Sequence, residues 1–144
     1  MSLRAVAIAS DHRGIALKAI LSESLRARGL KVLDLGPDSE QAVDYPDYAD
    51  ALAHEIERGA AARGVLICGS GIGMSIAANR HRQIRAALCH DAAEARLSRQ
   101  HNDANVLTLP GATISDEDAQ ICLSAFLDTA FEGGRHARRV AKLA

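Results

Sequence analysis

A cysteine followed by a glycine-rich loop is the clearest chemical signal in this sequence. Glycine occupies every second position of the loop that follows Cys68, which consists of Gly69, Ser70, Gly71, Ile72 and Gly73. This spacing lets backbone N–H groups turn towards one point and hold an anion at the start of the following helix. A thiol in such a place loses its proton more readily and can act as a base or a nucleophile. We predict a functional Cys68, with a tight turn and a buried structural thiol as the alternatives.

Three other loop chemistries fit this segment poorly. The dinucleotide fingerprint GxGxxG needs a glycine at the position occupied by Met74. A phosphate-binding P-loop needs a Gly-Lys-Ser/Thr sequence, which is absent. A nucleophile elbow centred on Ser70 needs glycines at the positions of Cys68 and Ile72. The loop is therefore interpreted as an anion cradle beside a thiol.

Acidic and imidazole side chains lie close to other apolar runs. Asp11 and His12 come directly after the first run, and Tyr45 lies in the polar loop after the second. His101 and Asn102 precede the fifth run instead of following one. We expect acid, imidazole, thiol and glycine loop to converge on one rim of the protein. A metal site built from these groups is disfavoured, because no pair has the usual close spacing of metal ligands.

A basic segment near the end of the sequence is a second candidate for anion binding. Arg135, Arg138 and Arg139 follow two adjacent glycines, which let the chain turn back. Guanidinium groups suit phosphate geometrically, but a basic helix end is also commonly just solvated. We predict a short helix over 135–143. From the residues alone, both phosphate binding and a solvated helix end remain possible functions of its basic side chains.

The elements that position these residues follow from the apolar pattern. Five short apolar runs predict strands over residues 4–9, 30–35, 64–68, 84–89 and 105–109. Between these runs, apolar residues recur at helical spacing over residues 14–28 and 47–58, which predicts two helices. A further helix is predicted after an N-cap at Ser115. This alternation predicts an α/β fold with a parallel sheet covered on both faces. Ligands of such sheets bind beyond the carboxyl ends of the strands.

Composition excludes several classes of protein. The length of 144 residues predicts one domain. The 17 basic and 18 acidic side chains give a net charge of -1, which predicts no nucleic-acid or membrane partner. Aromatic residues make up 3%, too few for base-stacking platforms. The segment Met1–Ser10 lacks the apolar core of a signal peptide. Three scattered cysteines without a CxxC pair indicate a reduced, cytoplasmic protein.

Several motifs occur in order over nearly the whole chain: Ser10–His12, Asp44–Pro46, Ile67–Gly73 with Ile76–Asn79, Leu97–Asp103, and Glu132–His136 with Arg139. Together they resemble the ribose-5-phosphate isomerase B family, which also includes galactose-6-phosphate isomerase subunits. The resemblance implies a Rossmann-like three-layer αβα sandwich with a five-stranded parallel sheet. It also implies a homodimer or tetramer with active sites shared between subunits. We expect the C-terminal helix, about 133–144, to take part in dimer contacts.

The resemblance further implies cofactor-free and metal-free interconversion of phosphorylated aldoses and ketoses. Cys68 would be the base that moves a proton between C1 and C2, since Met74 replaces the glutamate used by another branch of the family. His101 would open the sugar ring, with Asp11 nearby. Asn102 and the glycine-loop backbone would hold the enediolate oxygen. The substrate-binding residues would be His12, Tyr45, Gly69, Ser70, Gly71, Ile72, Gly73, Asn102, Arg135 and Arg139, with His12 and the two arginines on the phosphate.

One position departs from the family pattern. Family members usually carry a further phosphate-binding arginine in a Gly-x-Arg sequence after the fifth strand, where this chain has Ala112. A charged hydrogen bond of about 1.5–3 kcal/mol is missing there, unless Arg138 or another arginine replaces it. Ribose 5-phosphate is the first choice of substrate. Allose 6-phosphate, galactose 6-phosphate, a tetrose phosphate, or a non-catalytic sugar-phosphate-binding role are the alternatives.

Overall fold

Strands and helices alternate along residues 3–144, the part of the chain that the computed structural model describes. The strands are β1 (Ala5–Ser10), β2 (Lys31–Asp34), β3 (Arg63–Cys68), β4 (Ala86–Leu88) and β5 (Val106–Pro110). The helices are α1 (Ile15–Ala27), α2 (Tyr45–Glu57), α3 (Ile72–Asn79), α4 (Ala92–Asn102), α5 (Asp116–Asp128) and α6 (Arg135–Ala141). Met1 and Ser2, part of the segment considered for a signal peptide, lie outside this description. Within residues 3–144, no helix has the length and apolar character that a bilayer span requires.

All five strands pair in parallel in the order β2-β1-β3-β5-β4, which confirms the predicted sheet. The chain passes from β1 to β2 on one side and then crosses to β3 on the other side of β1. The direction of winding therefore reverses between β1 and β3, at the switch point where open α/β sheets bind their ligands. Asp11 follows β1 and Cys68 ends β3, so both stand at this point.

Two apolar layers cover the sheet, as the αβα expectation requires. Ile8 of β1 belongs to the layer that contains Phe126 of α5, together with residues of α1 and α4. Its neighbour Ala9 faces the opposite layer, with Leu52 of α2 and Met74 of α3. Full burial of one large apolar side chain contributes about 1.5–3 kcal/mol, so these layers hold the strand ends in fixed positions.

Two helices and one strand differ from the sequence-based expectation. The strand β4 covers only Ala86–Leu88, inside the apolar run 84–89. The apolar pattern did not outline α3 or α4, because α3 consists largely of small residues and α4 exposes charged side chains and even Leu97. Neither helix therefore shows a clear apolar stripe in the sequence.

Candidate active site

The Cys68 thiol borders a small pocket at the carboxyl edge of the sheet. Cys68 is only 6% exposed, at the last position of β3. The pocket has a volume of about 130 Å³. We call it the thiol pocket, and its lining residues are Asp11, Arg13, Gly14, Cys68, Gly69, Gly111 and Ala112.

The Asp11 carboxylate is fixed beside the thiol by backbone hydrogen bonds. Its Oδ1 accepts from the N–H of Arg13 at 3.1 Å and from the N–H of Gly14 at 2.9 Å. The Asp11 N–H in turn donates to the Ile67 carbonyl at 2.8 Å, which ties the loop after β1 to β3. A Cβ at Gly14 would lie 2.9 Å from Cγ2 of Ile67, so glycine is needed for this close approach. The structure therefore confirms that Asp11 and Cys68 share one rim.

The glycine loop presents unused backbone donors next to the thiol. Within residues 3–144, the N–H groups of Gly69, Ser70 and Gly71 have no hydrogen-bond acceptor, whereas the Ile72 N–H donates to Ser70 Oγ at 3.1 Å. Gly71 precedes α3 with a φ of +77°, which favours glycine. Free N–H groups at the start of a helix form an anion-binding site. These unpaired N–H groups fit the anion cradle that the sequence predicts.

His12 and Tyr45 lie around the same edge. His12 Nδ1 accepts a hydrogen bond from the Val43 N–H at 3.2 Å, which leaves Nε2 available for a ligand. Tyr45 is 39% exposed at the first position of α2. Its ring occupies the space that a side chain at Gly73 would need, so Tyr45 packs on the first turn of α3.

A second cluster of site residues surrounds the end of α4. The rings of His101 and His136 stack with centroids 4.4 Å apart and planes inclined by 12°. Glu132 Oε1 lies 3.5 Å from Nε2 of His136 and 3.9 Å from Nε2 of His101. Burial, followed by the positive charges of His101 and Arg135, lowers the pKa of His136. Neither Glu132 nor His136 is among the predicted site residues, although both lie in a motif on which the family resemblance rests.

The buried Arg99 anchors this second cluster to the fold. Its guanidinium donates to the Asp103 carboxylate at 2.8 Å, to the Ala104 carbonyl at 2.7 Å and to the Thr129 carbonyl at 3.1 Å. These bonds join the end of α4 to the start of β5 and to the segment before α6. The arginines of α6 have no such partners: within residues 3–144, the exposed side chains of Arg135 and Arg139 form no ion pair or hydrogen bond.

The two groups of site residues lie at opposite edges of the sheet. The helix α4 starts after the carboxyl end of β4 and runs back, so that Asn102 approaches the amino ends of the strands. There Asn105 donates to the Arg85 carbonyl at 3.0 Å and accepts from the Gly64 N–H at 2.9 Å. The length of β3 separates this edge from Cys68 by roughly 15–20 Å, at about 3.3 Å per residue.

The expected common rim forms within one chain for part of the predicted site. Asp11, His12, Cys68 and the glycine loop do share the carboxyl edge. His101 and Asn102 do not, because a helix between parallel strands must return to the amino edge before the next strand begins. Arg135 and Arg139 lie on α6, whose His136 stacks on His101, so they belong to the cluster at the end of α4.

Two groups of potential metal ligands occur within residues 3–144. They are His54 with Glu57 and His81, and His101 with Glu132 and His136; in each group the ligand atoms lie within 4.8 Å of one another. Neither group includes Asp11 or Cys68. The disfavoured metal site of Asp11, His12, Cys68 and His101 is not formed within one chain, because His101 lies at the other edge.

The fold and the thiol pocket define an open-sheet α/β protein with a small-molecule site at its topological switch point. The Ribose/Galactose Isomerase family model matches residues 6–143. The chain therefore belongs to this family, which confirms the resemblance that the motifs suggested.

Individual relatives match over nearly their whole length. Ribose-5-phosphate isomerase B of Escherichia coli is 42% identical over 138 residues, covering 96% of this chain and 93% of the relative. The crystal structure of a ribose 5-phosphate isomerase from Thermotoga maritima is similar with a TM-score of 0.95 and 50% identity, covering 97% of both chains. The ribose-5-phosphate isomerase B of Mycoplasma genitalium, solved with bound ribulose 5-phosphate, gives a TM-score of 0.93 and 41% identity, covering 96% of this chain and 93% of that one.

Proposed function

We propose that the protein interconverts ribose 5-phosphate and ribulose 5-phosphate by proton transfer through an enediolate. The observation that carries the proposal is the thiol pocket, where Cys68 and free backbone N–H groups meet at the switch point of the sheet. Membership of the Ribose/Galactose Isomerase family supports the reaction type. The similar Mycoplasma genitalium structure with bound ribulose 5-phosphate supports the choice of substrate.

The proposed chemistry uses one base and a set of hydrogen-bond donors. The Cys68 thiolate takes the proton from the carbon beside the carbonyl, and the electron pair of that C–H bond moves to form the enediolate. The same thiol returns the proton to the neighbouring carbon, while the hydroxyl proton passes from the oxygen that becomes the new carbonyl to the oxygen that becomes the new hydroxyl. Each proton is thus accounted for, and the substrate is neither oxidised nor reduced overall. The N–H groups of the glycine loop stabilise the negative oxygen, because these donors are already oriented before charge develops. Neither a metal nor a cofactor is required by this proton balance.

We propose that a second copy of the chain completes each site. His101 would open the sugar ring beside Asp11, and Asn102 would help to hold the enediolate oxygen. Arg135 and Arg139 would bind the phosphate together with His12. These groups lie at the opposite edge from Cys68 in one chain, which supports a homodimer or a tetramer with shared sites.

Exposed apolar side chains support this assembly. Ile72 and Ile76 of α3 are 55% and 52% exposed, and Leu97 of α4 is 48% exposed. They lie on the two helices that carry the glycine loop and His101. We propose that residues 1–144 form a single domain and that the segment 133–144 contributes to dimer contacts. A cytoplasmic location is part of the proposal, since the three cysteines are free and buried.

A panel of phosphorylated aldoses and ketoses with four to six carbons tests the substrate. We expect the highest kcat/KM for ribose 5-phosphate, measured by ketose formation at equal enzyme concentration. A higher kcat/KM for allose 6-phosphate, galactose 6-phosphate or a tetrose phosphate would replace the proposed substrate. Tight binding of these sugars without turnover would identify a binding protein instead.

A further inference from the structure

Arg13 is the cationic residue of the thiol pocket. Six of the seven residues that line this pocket carry no positive charge. The Arg13 residue is exposed, and within residues 3–144 its guanidinium forms no ion pair or hydrogen bond. Its backbone is nevertheless fixed, because its N–H donates to the Asp11 carboxylate at 3.1 Å. A solvated cation on a fixed backbone at a pocket mouth is available for an anionic ligand.

The other residues that line the thiol pocket offer no positive charge to an anion. Ala112 has a methyl side chain, and its N–H already donates to the Gly69 carbonyl at 3.0 Å. The Asp11 carboxylate lies in the same pocket and would repel an anion. Arg13 is therefore the lining residue of this chain that can offer a cation to an anionic substrate group, in addition to the arginines proposed to come from the second copy.

We propose that Arg13 binds the phosphate group of the substrate and supplies the cation that position 112 lacks. This inference rests on the proposed isomerase function and adds a binding residue to it. Arg13 is exposed at the mouth, whereas Cys68 is 6% exposed, so Arg13 meets the end of the substrate away from the reacting carbons. The free N–H groups of the glycine loop remain for the enediolate. A guanidinium also matches the paired oxygens of a phosphate.

The test is a comparison of kinetic constants for ribose 5-phosphate. We expect Arg13→Ala to raise KM roughly 10–100-fold, the loss of one or two charge-assisted hydrogen bonds, and to change kcat less than about threefold. Arg26→Ala is the matched control, because it removes an equal charge at the far end of α1, where Arg26 pairs with the exposed Glu23. We expect the control to retain the wild-type KM. An unchanged KM in Arg13→Ala would overturn the assignment, whether or not kcat is reduced.

A second variant tests whether positions 13 and 112 serve the same anion. In Arg13→Ala/Ala112→Arg, the guanidinium moves to another lining position of the same thiol pocket. We expect KM to return to within about fivefold of the wild type. A double variant that binds substrate no better than Arg13→Ala would refute the claim that the two positions contribute to one phosphate site.

Direct binding separates this inference from the proposed function. Inorganic phosphate and ribulose 5-phosphate are titrated by calorimetry into Cys68→Ser and into Cys68→Ser/Arg13→Ala. We expect the second protein to bind both ligands at least about tenfold more weakly. If the wild type isomerises none of the sugars but this difference persists, the proposed function fails and the role of Arg13 stands. If the wild type is active and the two affinities are equal, the role of Arg13 fails alone.

Discussion

The three cysteines of this chain have different surroundings. Burial, as the largest cause, raises the pKa of Cys89 to about 12 and that of Cys122 to about 11. Both remain protonated thiols near neutral pH and act as small apolar side chains. Cys68 differs, because it borders a pocket and the free N–H groups of the glycine loop. Only Cys68 is therefore placed to exchange a proton with a ligand.

Replacing Cys68 by alanine should abolish most of the activity while the fold survives. We expect Cys68→Ala to lower kcat roughly 10²–10⁴-fold, the usual effect of losing a general base. Circular dichroism should remain that of the wild type. Cys89→Ala is the matched control, since it removes a buried thiol that is not part of the thiol pocket, and its kcat should change little. Near-wild-type kcat in Cys68→Ala would refute the role of Cys68 as the base.

His81 links the end of α3 to α2 through two carboxylates. Its Nε2 lies 2.8 Å from Asp50 Oδ1, and its Nδ1 lies 3.1 Å from Glu57 Oε1. The hydrogen bond with Asp50 is the main cause of a raised pKa of His81, and the charge of Glu57 adds to it. The folded state therefore binds the His81 proton more tightly than the unfolded state does. Its contribution to stability is complete below the unfolded pKa of about 6.5 and disappears as pH rises through the folded pKa.

Stability should therefore respond to His81→Asn in a pH-dependent way. We expect the variant to lose about 0.5–1 kcal/mol of unfolding free energy near pH 5.5, because partly exposed ion pairs contribute this much. The loss should be smaller near pH 9, because less of wild-type His81 is protonated there than near pH 5.5. Urea unfolding of both proteins at one protein concentration provides the measurement. An equal or larger loss at pH 9 would contradict the assigned ion pairs.

At the scale of elements, the sequence predicted the parts that are buried on both faces. The runs 4–9, 64–68 and 105–109 became β1, β3 and β5, because central strands of a parallel sheet are apolar throughout. The helix α4 escaped prediction, since Leu97 is exposed and its other apolar residues are alanines. Because α4 is not predicted, the sequence does not show in which direction the chain runs at His101. This is why the sequence left open the edge of the sheet at which His101 lies.

The glycine loop makes a prediction about the start of α3. Gly71 has a φ of +77°, and a Cβ there would overlap the Leu88 side chain and lie 3.2 Å from the Leu109 carbonyl carbon. We expect Gly71→Ala to destabilise the protein by about 2–4 kcal/mol, from backbone strain and overpacking together. Gly69→Ala is the matched control, because nothing lies within 4 Å of a Cβ at that position. Unfolding by urea should separate the two variants clearly, and equal stabilities would argue against the left-handed turn.

At the scale of the whole molecule, the proposed site residues of one chain form two separate groups. Asp11, His12 and Cys68 stand at the carboxyl edge, whereas His101 and Asn102 stand at the amino edge. No rotation of side chains closes a gap of roughly 15–20 Å. A symmetric pair of chains can bring the amino edge of one copy to the carboxyl edge of the other, and symmetry then creates two equal sites.

Shared sites should allow two inactive variants to restore each other. Cys68→Ala and His101→Asn are each expected to form inactive homo-oligomers. In a hybrid pair, one site combines both defects, while the other combines the intact Cys68 of one copy with the intact His101 of its partner. Random pairing after co-expression at equal levels gives half hybrids, so about a quarter of the wild-type activity should return. A co-expressed mixture no more active than its two parents would show that each site is built within one chain. Purified hybrids, carrying a different affinity tag on each copy, should reach about half of the wild-type kcat, because one of their two sites is intact.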